Sequence, residues 1–405
     1  MIQRNLGMTL GKLCRWTIML LGTVMLAACS SEPSLSIQSL IDEASPGATV
    51  SIPPGTYREN LVVPKSTNLV GEMDDSSGVS IVGTADGEAA IEIKGDVEVT
   101  LRDIAITRSK GTGITTATSA RVTLENVQAK NCTSSGLSVR DQSTVVAANC
   151  EFSGSDRNGI TITGNGQLEA TNCVLEGNAA AGLAAVTTGS IWLSTCDIRG
   201  NGENGVTLAG SCPVVMTNVT VDGNGGGPVT AGEFVTLASA FSVLLGTGIS
   251  LSDEVSLEMV DSEVTASERT GIVVFDQAAI DVVNCSVLRN GQHGILAVCD
   301  GDVSLESSSI GSNASIGIIV AGNTHFHLES CRIRSNTGGG VSVFNVKCYG
   351  TEAASSPYHF SGPISGANND IGRPNTLGGN GEFDCCPSSL WSILCREVEG
   401  TDDGS

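Results

Sequence analysis

Three aspartates are the residues of this chain whose types and spacing could support chemistry. Asp253 and Asp276 each follow a glycine by five residues, and those glycines, Gly248 and Gly271, are 23 residues apart. Asp300 comes in the next repeat. If successive repeats stack as neighbouring strands, these carboxylates stand ~5 Å apart. Carboxylates at that spacing could bind Ca²⁺ or act in catalysis through a raised pKa, and an acidic rim that only contacts solvent is the alternative that we favour.

The glycines before these aspartates belong to a repeat that covers most of the chain. A glycine followed by an aliphatic residue recurs every 23 residues in two runs, separated by a gap of 43 residues. The gap predicts one additional turn, with Pro228 in the glycine position, followed by a turn shortened to 20 residues. A fixed period in this range is typical of a solenoid. The pairs are Gly113-Ile114, Gly136-Leu137, Gly159-Ile160, Gly182-Leu183, Gly205-Val206, Gly248-Ile249, Gly271-Ile272, Gly294-Ile295, Gly317-Ile318 and Gly340-Val341.

Apolar residues alternate in three short stretches within each repeat. Around Gly294 these are Ile280 and Val282, Cys285 and Val287, and Ile295 and Ala297. Such alternation predicts strands with one buried face. Three strands in 23 residues leave no room for a helix, which excludes leucine-rich and βα repeats. The sequence therefore predicts an all-β fold, a parallel β-helix with three strands per coil.

This repeat resembles the pectate-lyase-like superfamily over residues 35–345. The resemblance implies a right-handed coil, which the period alone does not show. The start of the coil is similar to many carbohydrate-active and copper-accessory β-helix proteins. There Ile37, Leu40 and Ile41 share one helical face, which predicts a short amphipathic helix that caps the open end of the solenoid.

Two columns of polar residues support the register. The first lies one residue before the second strand of each coil, at a tight bend, and the second lies four residues before the repeated glycine. Asparagine tolerates a positive φ, and we expect both columns to stabilise turns of the backbone. The first column includes Asp103, Asn126, Asn149, Asn172, Thr195, Asn218, Asp261, Asn284, Ser307 and Ser330, and the second Asn178, Asn201, Asn224, Asn290, Asn313 and Asn336.

The first 28 residues have the features of a signal peptide. Arg4, Lys12 and Arg15 precede an apolar stretch that ends in Leu26-Ala-Ala-Cys29, which matches a bacterial lipobox. We expect residues 1–28 to be removed, Cys29 to carry lipid, and residues 29–34 to link this anchor to the coil. Ser30 after the cysteine favours the outer membrane by resemblance to other lipoproteins.

The charge of the chain restricts its partners. The formal net charge is −22, and removal of residues 1–28 would make it more negative. So acidic a surface argues against binding to nucleic acid and against adsorption to anionic lipid.

The cysteines fall into two groups. Cys150, Cys173, Cys196, Cys285 and Cys331 share one inward column and are predicted to be reduced residues of the core. The tail, residues 346–405, contains Cys348, Cys385, Cys386 and Cys395, which we predict to form disulfides because the chain is exported. We expect the tail either to cap the last coil or to cover an apolar patch that includes Val273 and Ile319.

The strand that follows the repeated glycine carries no catalytic pair on its outward column. From Thr115 to Ser342 this column holds Thr, Ser, Ala and aliphatic residues, whereas a glycosidase needs two carboxylates and a lyase needs a base with a charge stabiliser. Binding candidates lie elsewhere. Trp192 points outward and could stack on a sugar, and Arg332 and Arg334 form a small basic spot. His325 and His327 flank an inward residue and could hold a metal.

These observations predict a lipid-anchored β-helix protein of the cell envelope with a non-catalytic role, binding a glycan or a protein partner. The first alternative is a lyase, hydrolase or epimerase that acts on an acidic polysaccharide through the aspartate-containing turns. The second is a periplasmic copper-accessory protein, on the resemblance of the repeat alone, because the fold does not decide function.

Overall fold

A computed structural model describes residues 36–74, 78–226, 246–349, 359–373 and 379–395. Three parallel sheets of 13 strands each wind around one core, and each sheet receives one strand from every coil. The predicted all-β solenoid of ~23-residue coils is confirmed. Within the described residues, no helix is long and apolar enough to cross a membrane.

Sheet A contains the first strand of each coil, sheet B the second and sheet C the strand that follows the repeated glycine. Sheet A consists of Thr49–Ile52, Thr67–Gly71, Glu98–Arg102, Arg121–Glu125, Thr144–Ala148, Gln167–Thr171, Ile191–Ser194, Pro213–Thr217, Ser256–Val260, Ala279–Val283, Asp302–Glu306, His325–Glu329 and Ile364–Ala367. Sheet B consists of Gly55–Tyr57, Val79–Ile81, Ile104–Thr107, Gln128–Lys130, Glu151–Ser153, Val174–Glu176, Asp197–Arg199, Thr220–Asp222, Glu263–Thr265, Ser286–Leu288, Ser309–Gly311, Arg332–Arg334 and Asp370–Ile371. Sheet C consists of Leu61–Val63, Ile91–Gly95, Ile114–Thr118, Leu137–Val139, Ile160–Gly164, Leu183–Thr187, Val206–Gly210, Ile249–Leu251, Ile272–Asp276, Ile295–Cys299, Ile316–Ala321, Gly339–Val343 and Cys385–Cys386.

The core is a continuous column of aliphatic side chains between the three sheets. Ile280 and Val282 of sheet A, Val287 of sheet B and Ile295 of sheet C are buried at 0–2% exposure, as their alternation predicts. Full burial of one such side chain stabilises the fold by ~1.5–3 kcal/mol. Because every coil adds the same set, the stability comes from repeated stacking rather than from one central cluster.

Helix α1, Ile37–Glu43, closes the first end of this column. Ile37 and Ile41 are fully buried and Leu40 packs partly against the core, which confirms the predicted amphipathic cap. The helix begins at Ser36, whose side-chain oxygen accepts a hydrogen bond from the backbone N–H of Ser39. Such a cap satisfies one of the free N–H groups of the first turn.

The additional turn predicted between the two glycine runs is wrong. Val206 pairs directly with Ile249 across sheet C, and all three sheets pass over the 43-residue gap without an extra strand. A coil of normal length is therefore interrupted by an insertion that includes residues 227–245, which lie outside the described residues together with Pro228. Gly225 and Gly246, on the two sides of the insertion, lie in close contact. A Cβ atom on Gly225 would stand only 2.4 Å from the Cα of Gly246, so a larger residue would not fit there.

The solenoid continues beyond the boundary predicted at residue 345. Three strands of the tail, Ile364–Ala367, Asp370–Ile371 and Cys385–Cys386, add a thirteenth strand to sheets A, B and C. A 3₁₀ helix, Ser388–Leu390, and a short helix, Trp391–Leu394, then pack over the last coil and bury Leu394 completely. The repeated glycine is replaced in this coil, so the period in the sequence does not show it.

A disulfide closes a loop within the tail, between its first residues and its strand of sheet C. Cys348, in the short helix Val346–Tyr349, is bonded to Cys386, and these are two of the four cysteines predicted to pair. Cys385 and Cys395 are free thiols in this structure. The ring of Phe383 lies against Gly339, and the N–H of Phe360 donates to the carbonyl of Phe344 at 2.8 Å, so the tail also follows the side of the preceding coils.

The two polar columns have different structural tasks. The bend column has positive φ angles of 51–57° from Asp103 to Ser330, and its members hydrogen-bond between coils, as Asn172 does to Asn149 at 2.7 Å. The second column is buried and does not have a positive φ. The left-handed backbone belongs to the preceding residue, such as Gly200 before Asn201, because the asparagine side chain turns inward to satisfy backbone groups.

The inward cysteines are buried and free, as predicted. Their thiols also lie within hydrogen-bond distance of backbone carbonyl groups. The Cys173 thiol lies 3.4 Å from the carbonyl oxygen of Thr171 and 3.6 Å from that of Ala147 in the previous coil. Ser262 and Ser308 occupy the same column with hydroxyls in the same role. The thiol and hydroxyl members of this column can therefore donate a hydrogen bond to the bend, whereas aliphatic members such as Val219 only fill the same position.

Candidate functional site

The aspartates with candidate chemistry are exposed and lie at the end of a sheet C strand or in the turn that follows it. Asp253 and Asp276 have positive φ angles of 60° and 58°. The Asp253 carboxylate accepts a hydrogen bond from the N–H of Gly210 at 2.9 Å, and that of Asp276 accepts one from the N–H of Asp253 at 3.3 Å. Asp300 is one residue out of register with these two aspartates, because Cys299 is the residue that pairs with Asp276. The Asp300 carboxylate accepts a hydrogen bond from the N–H of Asn323 at 3.1 Å. Each carboxylate thus holds the backbone of a neighbouring coil.

This arrangement does not gather a set of metal ligands. Across the described parts of the chain, no group of three or more His, Cys, Asp or Glu side chains is placed to hold a metal ion. His325 and His327 do lie on one strand of sheet A, but they face different partners. His325 contacts Asp302 at 3.6 Å, and His327 Nδ1 lies 2.9 Å from the Ser365 hydroxyl.

The outward column of sheet C is mostly closed to solvent. Val273 and Ile319, predicted to belong to an apolar patch that needs cover, are 2% and 8% exposed. Thr115 and Ser250 are also buried. The earlier coils add one charged pair that the sequence analysis did not identify, Lys94 with Glu92 at 2.9 Å. Because Lys94 and Glu92 form an ion pair with each other, we do not assign Glu92 as a catalytic base or Lys94 as a charge stabiliser.

His293, the residue before the repeated Gly294, belongs to a further polar column. Its Nδ1 accepts a hydrogen bond from the N–H of Ile316 in the next coil at 3.3 Å. Asn158 and Asn204 occupy the same position and accept from the next coil at 3.0 Å. Burial lowers the pKa of His293, so the neutral ring is favoured, and the histidine acts as a link between coils.

Several ion pairs lie on the outer face of sheet B. Arg199 contacts Asp197 on its own strand and Glu176 on the previous strand, the latter at 3.0 Å. The hydrogen bond from Arg199 holds the pKa of Glu176 below its usual range. Burial raises the pKa of Asp197 in spite of the arginine. This cluster is not among the sites predicted from the sequence, although residues two apart on a short strand and 23 apart between coils must share a face.

The predicted basic spot is largely neutralised by the tail. Arg334 forms a two-pronged contact with the carboxylate of Asp370 in the thirteenth coil, and Arg332 lies 3.7 Å from the same group. The Arg334 hydrogen bond lowers the pKa of Asp370. Arg332 and Arg334 therefore fasten the last coil of sheet B, which weakens them as a site for an anionic sugar.

The outer face of sheet A is different in character. Trp192 is 56% exposed and projects between Glu169 and Val215, its partners on the two neighbouring strands. Val146, two strands away, is 38% exposed. An indole ring that stands free on a flat sheet offers an apolar face and an N–H donor. Of the binding candidates from the sequence, Trp192 is the one that the structure leaves open.

Comparison with known proteins supports the architecture. The family model described as "Right handed beta helix region" matches residues 72–198, 188–307 and 233–354. The chain belongs to the right-handed β-helix family. No curated protein sequence matches it.

Solved structures with a similar fold include two kinds of epimerase. A mutant of the periplasmic alginate epimerase AlgG has a TM-score of 0.55 and 11% identity, with 82% of each chain covered. The A-module of the mannuronan C-5 epimerase AlgE6 from Azotobacter vinelandii has a TM-score of 0.53 and 15% identity, with 84% of this chain and 95% of that module covered. At these identities the likeness shows the fold.

Proposed function

We propose that this right-handed β-helix protein binds an extended polysaccharide on the outer face of sheet A, with Trp192 as the residue that stacks on a sugar ring. The carrying observation is the 56% exposure of a tryptophan in the middle of a regular sheet. An aromatic side chain buries 150–250 Å² when it is covered, so a sugar ring stacked on this indole would remove a large apolar area from water. Thr171 and Ser194, on the flanking column of the same sheet, add hydroxyl groups beside it.

The similarity to alginate epimerases supports the choice of a polysaccharide as ligand class. It also favours a second candidate, a carbohydrate-active enzyme such as an epimerase or lyase, over a purely structural role in the envelope. For that candidate the described residues offer Asp197, whose pKa is raised by burial, beside Arg199. We rank binding first because Arg199 is already shared by two carboxylates, whereas Trp192 is open.

We further propose that the protein is held at the bacterial outer membrane by lipid on Cys29. The support is the Leu26–Cys29 motif after a basic and apolar leader. Cys29 and the whole leader lie outside the described residues.

A glycan array, followed by calorimetry on the hits, tests the main proposal. Wild-type protein is compared with Trp192→Ala and with Glu263→Gln, a control on sheet B that only removes a contact to Arg289. Binding that is lost in Trp192→Ala and kept in the control supports the proposal, and equal binding by all three contradicts it. Assays for unsaturated uronates and for reducing ends, on the same proteins, decide whether the second candidate applies.

A further inference from the structure

We infer that the polysaccharide bound at Trp192 is cationic, with protonated amino groups on its sugars. This inference rests on the proposed function, since it names the chemistry of the ligand at the same surface. The charge of the inferred ligand is opposite to that of alginate and mannuronan, the acidic polymers in the names of the structural neighbours. Trp192 lies among exposed carboxylates, on strands that carry no cationic side chain.

The central column of sheet A is an acidic and aromatic strip over six successive strands. We call these residues the sheet A strip. Neighbouring strands are ~4.8 Å apart, so the strip runs along the axis of the solenoid for about 24 Å. It consists of Val146, Glu169, Trp192, Val215, Glu258 and Asp281.

The three carboxylates of the strip are exposed and uncompensated. Glu169, Glu258 and Asp281 form no ion pair or side-chain hydrogen bond with any part of the chain that the structure describes. The six strands from Thr144–Ala148 to Ala279–Val283 contain no Lys, Arg or His. Glu258 and Asp281 are direct cross-strand neighbours, and like charges in that position destabilise a sheet.

Several carboxylates on the outer face of sheet B are neutralised by cations. On sheet B, Glu151 pairs with Lys130, Glu176 with Arg199, and Asp370 with Arg334. The ends of sheet A do the same, for example through Arg102 and Glu125. The strip carboxylates on both sides of the exposed indole have no such partner among the described residues, and a bound cation would relieve their mutual repulsion.

A cationic sugar polymer matches both features of the strip. The C–H face of a pyranose stacks on indole, and an ammonium group near the ring gains a cation–π attraction. Further ammonium groups along an extended chain would meet Glu169 on one side of Trp192 and Glu258 and Asp281 on the other. A polyuronate would instead meet like charge at three of the six strands, which charge complementarity disfavours.

Calorimetry with three matched hexasaccharides tests the inference. The probes are a β-1,4-glucosamine hexamer, the N-acetylated form of the same hexamer, and a mannuronate hexamer. We expect the glucosamine hexamer to bind about ten-fold more tightly than its acetylated form, with the difference lost at high salt and as pH rises through the pKa of the amine. Trp192→Ala should weaken both of these hexamers.

Two further variants separate charge from stacking. The double variant Glu258→Gln/Asp281→Asn should reduce binding of the glucosamine hexamer by about five-fold or more and leave the acetylated form unchanged. Glu263→Gln on sheet B should change neither. The side chains of Trp192, Glu258, Asp281 and Glu263 are all at the surface, and thermal melting checks that each variant is folded.

The outcomes also distinguish the inference from the proposed function. If the acetylated or mannuronate hexamer binds at Trp192 as tightly as the glucosamine hexamer, the cationic inference is overturned and polysaccharide binding stands. If none of the three hexamers binds, the inference is again overturned, and the glycan array decides the proposed function by itself.

Discussion

The carboxylate of Glu59, two residues before the first strand of sheet C, accepts a hydrogen bond of 2.7 Å from the backbone N–H of Ile37. It also accepts from the hydroxyl of Ser36 at 2.8 Å. A carboxylate in this position satisfies free N–H groups of helix α1 and favours its positive end. One side chain therefore joins the terminal cap to the solenoid, and it matters because the helix covers the otherwise open core.

We predict that Glu59→Ala lowers the free energy of unfolding by about 1–2 kcal/mol through the loss of this cap. Urea denaturation of both proteins measures the change. Glu43→Ala, at the opposite end of the same helix, is the control and should have little effect. An equal loss in both variants would contradict a specific stabilising role for the contact between Glu59 and Ile37.

The buried asparagine column should be far more sensitive than the exposed one. Asn201 is 0% exposed, its amide donates to the carbonyl of Leu175 at 3.0 Å, and its Oδ1 accepts from the N–H of Asn178 at 3.0 Å. Asn201→Ala leaves these groups unpaired in the core, at a cost of about 2–4 kcal/mol. Asn172→Gly, which keeps the positive φ at the exposed bend, should cost about 1 kcal/mol or less. Chemical denaturation that ranks them the other way would contradict the assignment.

We predict that the inward cysteine column tolerates a side chain that can donate a hydrogen bond and rejects a charged one. Cys173→Ser should preserve the fold, because Ser262 and Ser308 already occupy this column, whereas Cys173→Asp would bury an unpaired charge and unfold the coil. The neighbouring Cys150 thiol raises the pKa of Cys173 to about 12. Native protein should therefore react slowly with iodoacetamide near neutral pH, and mass spectrometry after brief labelling checks this. Rapid labelling at Cys173 would mean that the column is open to solvent.

The link between His293 and Ile316 predicts a dependence of stability on pH. Burial lowers the pKa of His293 in the folded state, so the unfolded chain takes up the proton first. The contribution of the neutral ring is thus complete above the unfolded pKa of about 6.5 and is lost as pH falls through the lowered folded value.

The matched variant for this prediction is His293→Asn, since Asn204 makes the equivalent bond with an amide oxygen. Thermal melting between about pH 8 and pH 5 should show a smaller loss of stability for His293→Asn than for the wild type. Identical pH profiles would contradict a role for the His293 ring in the link.

The regular part of the fold was predictable because the same constraint recurs in every coil. The glycine before Ile295 and the alternation of Ile280 and Val282 each identify an inward face, and stacking fixes the rest. The prediction failed where the period is interrupted. Pro228 follows Gly205 by 23 residues, yet spacing alone does not distinguish a coil from an insertion of nearly the same length.

The site was only partly predictable. The exposure of Trp192 follows from its place between inward Ile191 and Leu193. The pairing of Arg334 with Asp370 does not, because the coil that contains Asp370 lacks the repeated glycine. Whether Glu169 has an ion-pair partner depends on side-chain positions around it, which no repeat in the sequence specifies.

The lipid anchor can be tested independently of the solenoid. We predict that radiolabelled palmitate enters the wild-type protein in cells and that Cys29→Ala abolishes the label and leaves an uncleaved precursor. The outer-membrane fraction should contain the wild-type protein. Processing of Cys29→Ala at another site would contradict a lipoprotein and leave an ordinary signal peptide as the explanation.

The aspartates of the turns after sheet C provide the last prediction. Because the Asp276 carboxylate accepts a hydrogen bond from the N–H of Asp253, an asparagine can replace it without loss of the acceptor. Asp276→Asn should therefore leave the melting temperature, glycan binding and any elimination or epimerisation of alginate and pectate unchanged. Asp276→Ala, which removes the acceptor at a positive φ, should lower stability by roughly 1–2 kcal/mol. If Asp276→Asn instead abolishes product formation by the wild-type protein, the carboxylate is catalytic. If Ca²⁺ raises the melting temperature of the wild type and not of Asp276→Asn, the turn is a cation site, and either result would overturn the structural role assigned to it.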